Sequence, residues 1–191
     1  MNCKLKRESC CFSGHRPTKL PYGYDEEHQN CLALKLKLAV EIEQMRKKGV
    51  TTFLTGMAQG PDIWCAELVL DLKQAYPDAR IHLVAVLPFE GQADRWHEEY
   101  RERYFNILAC ADDVVTLQPH YTKACIQKRN RYLVDSSAHL IAVFDGQKGG
   151  TQYTVDYAVQ KGLDIIILNP NTLERTQPGE KKRSNIIRFE R

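Results

Sequence analysis

Apolar runs are the feature of this sequence that most restricts how the chain can fold. Residues 81–87, 140–144 and 165–168 are apolar almost throughout, rather than at alternate positions. A strand of this kind is buried on both faces, as in parallel sheets, because helices cover both sides of such sheets. The runs therefore predict a parallel sheet at the centre of an α/β domain.

Six short segments predict strands, and the stretches between them are long enough for helical crossovers. These segments are residues 9–13, 51–55, 81–87, 113–117, 139–144 and 164–168. Pro61 suits a first helical position, and Gly49 after two lysines suits the end of a helix. Alternating strands and helices predict a doubly wound α/β fold, a mainly parallel sheet of about six strands with helices on both faces.

The segment 32–43 has two possible interpretations. It alternates apolar and polar residues almost perfectly, which by itself is a strand pattern. Its residues are strong helix formers, however, and no turn residue interrupts residues 26–48. The same stretch forms a helical apolar stripe made of Cys31, Leu34, Leu38, Ile42 and Met45. We therefore predict a helix here.

Length and charge restrict the class of protein further. A chain of 191 residues predicts one domain, which we place at residues 1–170, followed by a polar and partly flexible tail at 171–191. Within the tail, residues 181–183 are basic and residues 186–189 could add a short edge element. The net charge of +3 is too small to require a nucleic-acid partner.

Cysteine usage and the lack of long apolar segments predict a cytoplasmic protein without membrane contact. The seven cysteines are scattered and form no C-x-x-C pair, which favours reduced thiols over disulfides or a zinc ribbon. No metal site is expected. The polar N-terminus does not resemble a signal peptide, and no apolar run approaches the ~20 residues of a membrane span.

Glycine and polar residues collect after the predicted strands, where an open α/β sheet binds its ligands. They are Ser13, Gly14, His15 and Arg16 after the first strand, Thr55, Gly56, Gly60 and Asp62 after the second, and Gly149, Gly150 and Thr151 after the fifth. Glycine lets the backbone approach a phosphate closely, and N–H groups at a helix N-terminus favour an anion. Each loop alone could be a simple turn, but three at one sheet end favour a ligand site.

Several polar residues near these loops have two interpretations. His15 is either a general acid/base or phosphate donor, or a surface histidine in a turn. Asp62 either contacts ribose hydroxyls or is an acidic residue of a first helical turn. Trp96 either stacks on a base or packs in the core with Tyr100. The run at 129–131 is either a phosphate clamp or a solvated charged stretch.

Common catalytic fingerprints are absent from the sequence. It has no G-x-G-x-x-G after a strand, no Walker P-loop, no G-x-S-x-G elbow and no H-E-x-x-H. The residues therefore indicate a binding pocket more clearly than a reaction.

Four motifs together resemble the SLOG superfamily, which links the Smf/DprA DNA-processing proteins with the Lonely Guy phosphoribohydrolases. The motifs are SGHRP at 13–17, TGMAQGPD at 55–62, RNR at 129–131 and KGGT at 148–151. The resemblance spans residues 8–170 and is strongest to the YpsA-like branch, whose function is unknown. It implies a Rossmann-like fold that binds a nucleotide, or a ligand of the ADP-ribose type, at its glycine loops.

The resemblance also implies roles for single residues. The segment 55–62 stands where the DprA-like proteins have S-G-x-A-x-G-[IV]-D, and Arg129 and Asn130 stand where they have R-N. Arg129 is also near the catalytic arginine position of the Lonely Guy enzymes. Those enzymes carry a catalytic glutamate in P-G-G-x-G-T-x-x-E, and Thr154 occupies that position here. The resemblance therefore leaves open whether any reaction is catalysed.

We predict a cytoplasmic protein that binds a nucleotide-derived small molecule in a sensing or regulatory role. Two alternatives stay open. One is an enzyme acting on a nucleotide N-glycosidic bond, with Asp62, His15 or Asp156 as acid/base candidates. The other is single-stranded DNA binding of the DprA kind, for which the small net charge is a weak indication. A protein partner and a homo-oligomer are compatible with all three.

Overall fold

A computed structural model describes residues 6–179, with a seven-stranded sheet between two layers of helices. The strands are β1 (Ser9–Gly14), β2 (Thr52–Thr55), β3 (His82–Leu87), β4 (Asp113–Thr116), β5 (His139–Val143), β6 (Asp164–Leu168) and β7 (Arg175–Thr176). The helices are α1 (Gln29–Lys47), α2 (Pro61–Ala75), α3 (Glu98–Cys110), α4 (Cys125–Asp135) and α5 (Gly150–Gln160). Short 3₁₀ helices lie at Pro17–Lys19 and Pro77–Ala79.

The predicted doubly wound α/β fold is confirmed. All six predicted strands are present, and their ends differ from the prediction by at most one residue. The ambiguous segment 32–43 is helical, within α1, and its predicted apolar stripe is buried. Helix propensity and the buried stripe prevail over the alternating pattern because exposed apolar residues such as Leu36 and Val40 simply lie on the solvent side.

A seventh strand, β7, was not predicted. Its two residues pair antiparallel with β6, so the residues just past position 170 extend the sheet. A two-residue strand has no hydrophobic pattern of its own, and only its neighbour in the sheet defines it. The basic residues 181–183, the possible edge element at 186–189 and Cys3 lie outside the described residues.

The order of the strands places the loops of distant segments side by side. The sheet runs β4-β3-β2-β1-β5-β6-β7, and every pair except β6 with β7 is parallel. The chain therefore builds outward from β1 to β4 and then returns to place β5 on the other side of β1. Gly14 at the end of β1 is in register with Val143 at the end of β5. This is the switch point of the sheet, beyond which open α/β sheets bind ligands.

The alternation of side chains along each strand divides the core into two layers. Cys10 faces the layer covered by α1, α2 and α3, whereas its neighbour Cys11 faces the layer covered by α4 and α5. The six described cysteines are free thiols, and Cys110 is the exposed one. Residues 6–179 contain no helix long and apolar enough to cross a membrane, and no cluster of His, Cys, Asp and Glu suited to a metal ion.

Candidate functional site

A cavity of about 240 Å³ lies at the switch point, beyond the carboxyl ends of β1 and β5. Its walls come from the end of β1 and the loop after it, from the start of α2, from α4 and from the start of α5. The lining residues are Phe12, Ser13, Gly14, His15, Arg16, Thr18, Lys19, Ala58, Asp62, Ile126, Arg129, Asn130, Gly150 and Thr151. Segments far apart in the sequence thus form one site, because β1 and β5 are neighbours in the sheet.

A buried ion pair forms one wall of the cavity. Arg129 on α4 donates from Nη1 to Oδ2 of Asp62 on α2 at 2.9 Å, and the two side chains are 5% and 6% exposed. The Ala58 N–H also donates to this carboxylate oxygen, at 3.3 Å. Burial raises the pKa of Asp62 above its ordinary value, and Arg129 opposes part of that rise. Oδ2 of Asp62 is therefore bound by Arg129 and the Ala58 N–H, and contact of this carboxylate with a ribose stays a prediction.

A buried hydrogen-bond donor of Arg129 is without a partner in the part of the chain that the structure describes. Among the described residues, its buried Nε has no hydrogen-bond partner. Buried donors in native proteins nearly always find an acceptor, so an unsatisfied guanidinium N–H in a cavity wall needs an explanation. The interpretation of residues 129–131 as a solvated charged stretch is wrong for Arg129 and Asn130, which are both buried.

The loop between β2 and α2 needs its glycines for internal packing. A Cβ at Gly56 would lie 1.3 Å from Nη1 of Arg129, so the guanidinium rests on the bare backbone. Gly60, which precedes α2, has φ 89° and ψ −133°, a conformation that is essentially restricted to glycine. Thr55 Oγ1 donates to the backbone carbonyl of Asp62 at 2.9 Å. These three residues hold the loop in place behind the cavity wall.

The start of α5 is open to the cavity. Gly150 and Thr151 line it, and a Cβ at Gly150 would meet nothing within 4 Å. The first turn of a helix leaves backbone N–H groups without intrahelical partners, and the helix dipole favours negative charge there. Gly149 does not line the cavity, but a Cβ on it would lie 3.1 Å from Nζ of Lys19. A lysine ammonium therefore lies close to this helix start.

His15 and Asp145 join the loops after β1 and β5. His15 Nε2 lies 2.7 Å from Asp145 Oδ1, and the two side chains are 3% and 5% exposed. The same oxygen accepts the Gln147 N–H at 3.0 Å. Burial acts to raise the pKa of Asp145, but the Gln147 N–H and His15 outweigh it and hold that pKa below its ordinary value. The other ring nitrogen, His15 Nδ1, lies 3.3 Å from Thr151 Oγ1.

Thr154, which stands where the Lonely Guy enzymes have their catalytic glutamate, makes two hydrogen bonds within the protein. Asn130 Nδ2 donates to Thr154 Oγ1 at 2.9 Å, and that hydroxyl donates to the Gly150 carbonyl at 2.9 Å. Thr154 is buried and thereby ties α4 to the first turn of α5. Asp156, the nearby acid candidate, is exposed and is not among the residues that line the cavity.

The structure brings most of the predicted site residues together. Nine of them line the cavity, namely Ser13, Gly14, His15, Arg16, Asp62, Arg129, Asn130, Gly150 and Thr151. Trp96 does not line it and packs edge-to-face on Tyr104 with ring centroids 5.3 Å apart. Its aromatic neighbour is thus Tyr104 rather than the predicted Tyr100. His15 is buried, so its interpretation as a surface turn residue is wrong. Ligand contact by any of these residues stays a prediction.

Six residues of the site are not among the predicted site residues. Five line the cavity, namely Phe12, Thr18, Lys19, Ala58 and Ile126, and Asp145 supports His15 from behind. Asp145 directly follows a buried strand, so the rule that ligand sites follow strands could have selected it. Lys19 lies in a short 3₁₀ helix after β1 that no sequence pattern indicated.

Comparison with known sequences identifies relatives over most of the chain. A family model described as the YspA SLOG family matches residues 10–172. A UPF0398 protein of Halalkalibacterium halodurans is 32% identical over 158 residues, which cover 79% of this chain and 82% of the relative. A UPF0398 protein of Bacillus pumilus is 30% identical over 142 residues, covering 73% of this chain and 74% of that protein.

Two solved structures are similar in fold. DNA processing protein A of Helicobacter pylori, described for its single-stranded DNA binding mode, superposes with a TM-score of 0.58 at 15% identity, covering 87% of this chain and 68% of that one. DNA processing protein A of Streptococcus pneumoniae has a TM-score of 0.56 at 15% identity and covers 85% of this chain. The chain spans half (50%) of the pneumococcal protein. At these identities the similarity concerns the fold alone.

Proposed function

Because the chain belongs to the YspA SLOG family, we propose that it binds a nucleotide or nucleotide-derived ligand in the switch-point cavity. In this proposal the phosphate lies at the first turn of α5, against Gly150 and Thr151. The observation that carries the proposal is the buried Arg129 guanidinium, whose Nε lacks a partner among the described residues. A phosphate oxygen is an acceptor that such a donor binds well.

The charge and size of the cavity support this ligand class. Arg16, Lys19 and Arg129 line it, whereas Asp62 is the single acidic residue among the lining residues and is paired with Arg129. The lining is therefore positive overall, which favours an anion. At about 240 Å³ the cavity is smaller than the ~300–1,000 Å³ typical of ligand pockets, which favours a mononucleotide over a dinucleotide.

The two alternative functions have less support from the geometry. Cleavage of an N-glycosidic bond needs a carboxylate at the ligand, but Thr154 stands at the position of the Lonely Guy glutamate. Asp62, the carboxylate that lines the cavity, is paired with Arg129. Single-stranded DNA would present phosphodiesters, for which a long basic groove with stacking aromatics is the usual site. A cytoplasmic location, a protein partner and a homo-oligomer remain parts of the proposal that rest on the sequence.

Calorimetry and thermal shift with adenosine 5′-monophosphate (AMP), ADP-ribose and a single-stranded oligonucleotide test the proposed function. We expect AMP to raise the melting temperature more than the larger ADP-ribose does, and the oligonucleotide to have little effect. Gly150→Glu adds a carboxylate to the cavity where a Cβ meets nothing, so the fold is retained and affinity falls at least about tenfold. Gly150→Gln is the matched neutral control, because it adds the same bulk without the charge, and it should bind about tenfold more tightly than Gly150→Glu.

Three results would contradict the proposal or redirect it. Equal affinity of Gly150→Glu and Gly150→Gln would exclude a phosphate at the start of α5. Failure of every nucleotide probe to bind would overturn the proposed function itself. Release of adenine from AMP, followed by chromatography, would instead support the enzymatic alternative.

A further inference from the structure

A buried chain of three polar groups crosses the switch point. Asp145 Oδ1 and His15 Nε2 are 2.7 Å apart, and His15 Nδ1 and Thr151 Oγ1 are 3.3 Å apart. The Phe144 ring lies against the His15 ring, with centroids 5.6 Å apart. His15 and Thr151 both line the cavity, so a ligand there can contact this chain.

The direction of each hydrogen bond follows from the donors available. An ionised carboxylate only accepts, so His15 Nε2 carries a proton and donates it to Asp145. In a neutral imidazole, Nδ1 then holds a lone pair, and the Thr151 hydroxyl must donate to it. The hydroxyl hydrogen is thus directed away from the cavity, and an anion there would face an oxygen lone pair.

A proton on His15 Nδ1 reverses the second hydrogen bond. Nδ1–H then donates to Thr151 Oγ1, which frees the hydroxyl hydrogen to donate into the cavity. The ring also gains a positive charge beside Asp145. An anion at the start of α5 therefore finds an additional donor and an additional cation nearby when His15 is protonated.

We propose that His15 and Thr151 make this site selective for a phosphate monoester, and that ligand binding takes up one proton at His15. The proposal rests on the proposed function, since it places the ligand phosphate at Gly150 and Thr151. It names the ligand class more narrowly, as a molecule ending in a phosphate monoester.

The charged groups around the cavity determine the sign of the effect. Asp145, from the loop after β5, is the anion in contact with the ring, and Arg16 and Lys19 after β1 are the cations that line the cavity beside it. Asp62 and Arg129, from α2 and α4, largely cancel each other. A bound dianion offsets the two cations after β1, so the proton is held more tightly in the complex. By linkage, affinity falls as pH rises over the range in which the ligand stays a dianion, above the second phosphate pKa of about 6.

The same proton accounts for selectivity between phosphate esters. A monoester carries close to two negative charges near neutral pH and presents three terminal oxygens. A diester carries one charge and replaces one of those oxygens by a substituent. The diester therefore attracts the proton less and offers fewer acceptors to Thr151, Arg129 and the first turn of α5.

Isothermal titration of the full chain with AMP and with its phosphomethyl ester tests the inference. Runs at pH 7 to 8.5 in two buffers of different ionisation heat give the protons taken up. That range lies above the second phosphate pKa of about 6, so the charge of AMP stays nearly constant. We expect uptake approaching about one proton for AMP, an affinity that falls up to about tenfold per pH unit, and much weaker, nearly pH-independent binding of the methyl ester.

Variants assign the proton to one residue. His15→Gln should abolish the uptake and flatten the pH dependence. Thr151→Val should weaken AMP binding and reduce its preference over the methyl ester, whereas Thr151→Ser, which keeps the hydroxyl, should restore both. His82→Gln is the matched control, because this exposed histidine lies at the amino end of β3, away from the cavity. It should behave as wild type.

The outcomes separate this inference from the proposed function. AMP binding with the same proton uptake in wild type and His15→Gln would overturn the inference and leave the proposed function intact, as would equal binding of the methyl ester. If no phosphate-bearing probe binds, both fall together. Should His15→Gln not fold, proton–carbon spectra of the wild-type His15 ring decide instead: AMP added at pH 8 should shift the ring to its imidazolium form, and an unchanged ring contradicts the inference.

Discussion

The loop from β2 to α2 and the loop from β5 to α5 both place glycine beside a helix start, but only the first is filled by the protein itself. A Cβ at Gly56 would lie 1.3 Å from a nitrogen of Arg129, whereas a Cβ at Gly150 would meet nothing within 4 Å. Glycine in the first loop makes room for a side chain of the same protein. In the second loop it leaves backbone accessible from the cavity.

The acidic residues beside the two loops, Asp62 in the first turn of α2 and Asp145 after β5, differ in the same way. Burial raises the pKa of Asp62, whose cation partner Arg129 is itself buried. Burial also acts on Asp145, but the Gln147 N–H and His15 hold its pKa low. Burial therefore opposes the negative charge of Asp62, beside the first loop. The fold stabilises the negative charge of Asp145, in the second loop. Substitutions in the two loops should have effects of different size and different pH dependence.

The largest effect is expected for Arg129→Ala, which leaves Asp62 buried without its cation. We expect a loss of about 3–5 kcal/mol in the free energy of unfolding near neutral pH. Removal of the cation raises the folded pKa of Asp62 further than burial does in the wild type. The loss therefore grows as pH rises from the wild-type folded pKa to the higher one of the variant. Urea denaturation at pH 5 and pH 8 measures the loss in the free energy of unfolding and its dependence on pH.

The neighbouring exposed arginine provides the control for this first prediction. Arg131→Ala should change the free energy of unfolding by less than about 1 kcal/mol at both pH values, because Arg131 is exposed. Similar losses for Arg129→Ala and Arg131→Ala would show that the ion pair with Asp62 contributes little.

A smaller effect is expected for Gly56→Ala, which directly tests the difference between the loops. The new methyl group displaces the Arg129 guanidinium from Asp62, and we expect a loss of about 1–3 kcal/mol. Gly150→Ala is the matched substitution in the open loop and should change stability by less than about 0.5 kcal/mol. Chemical denaturation of both variants measures the two losses in the free energy of unfolding. Equal losses would contradict the proposed difference between the two loops.

A double substitution identifies the cause of the Gly56→Ala loss. In an Arg129→Ala background the guanidinium is gone, so the added methyl group should cost much less than in wild type. Additive losses would instead mean that Gly56 is needed for some reason other than the contact with Arg129.

The smallest effect is expected for Asp145→Asn in the second loop. Asp145 is ionised at neutral pH and accepts two hydrogen bonds, so we expect a loss of about 1–2 kcal/mol at pH 7. Because its folded pKa is lowered, this contribution is present above the unfolded value of about 3.9 and is lost as pH falls through the lowered pKa. Thermal denaturation from pH 7 to pH 3 follows the difference.

The exposed acid on α5 serves as the reference for this last variant. Asp156→Asn should leave the unfolding temperature nearly unchanged across the same range, since its side chain is exposed. A stability difference between Asp145→Asn and wild type that grows toward pH 3 would contradict the stated direction of the Asp145 pKa.

Local patterns were sufficient to predict the elements of the fold. The apolar runs at 140–144 and 165–168 predicted β5 and β6 because a strand buried on both faces has no polar alternation. The stripe that includes Leu34 and Leu38 predicted α1 because its residues share one helical face. The two residues of β7 carried no such pattern, since their partner in β6 alone places them in the sheet.

The candidate site could be predicted only in outline. The rule that ligands bind beyond the carboxyl ends of strands selected His15, Asp62 and Gly150 as members of one site. It could not show that Asp62 is paired with Arg129, or that Gly56 lies beneath that arginine. These contacts depend on how α4 packs against the sheet, which no spacing along the chain encodes.

The sequence by itself determined the α/β class, the positions of the strands and the set of loops at one end of the sheet. Each of these depends on residues close together along the chain, where propensity and periodicity act. The tertiary structure alone decided that β5 lies beside β1, which joins His15 to Asp145 across 130 residues. It also decided which glycine contacts the protein and which faces an open cavity, because that depends on the atoms that distant segments bring near.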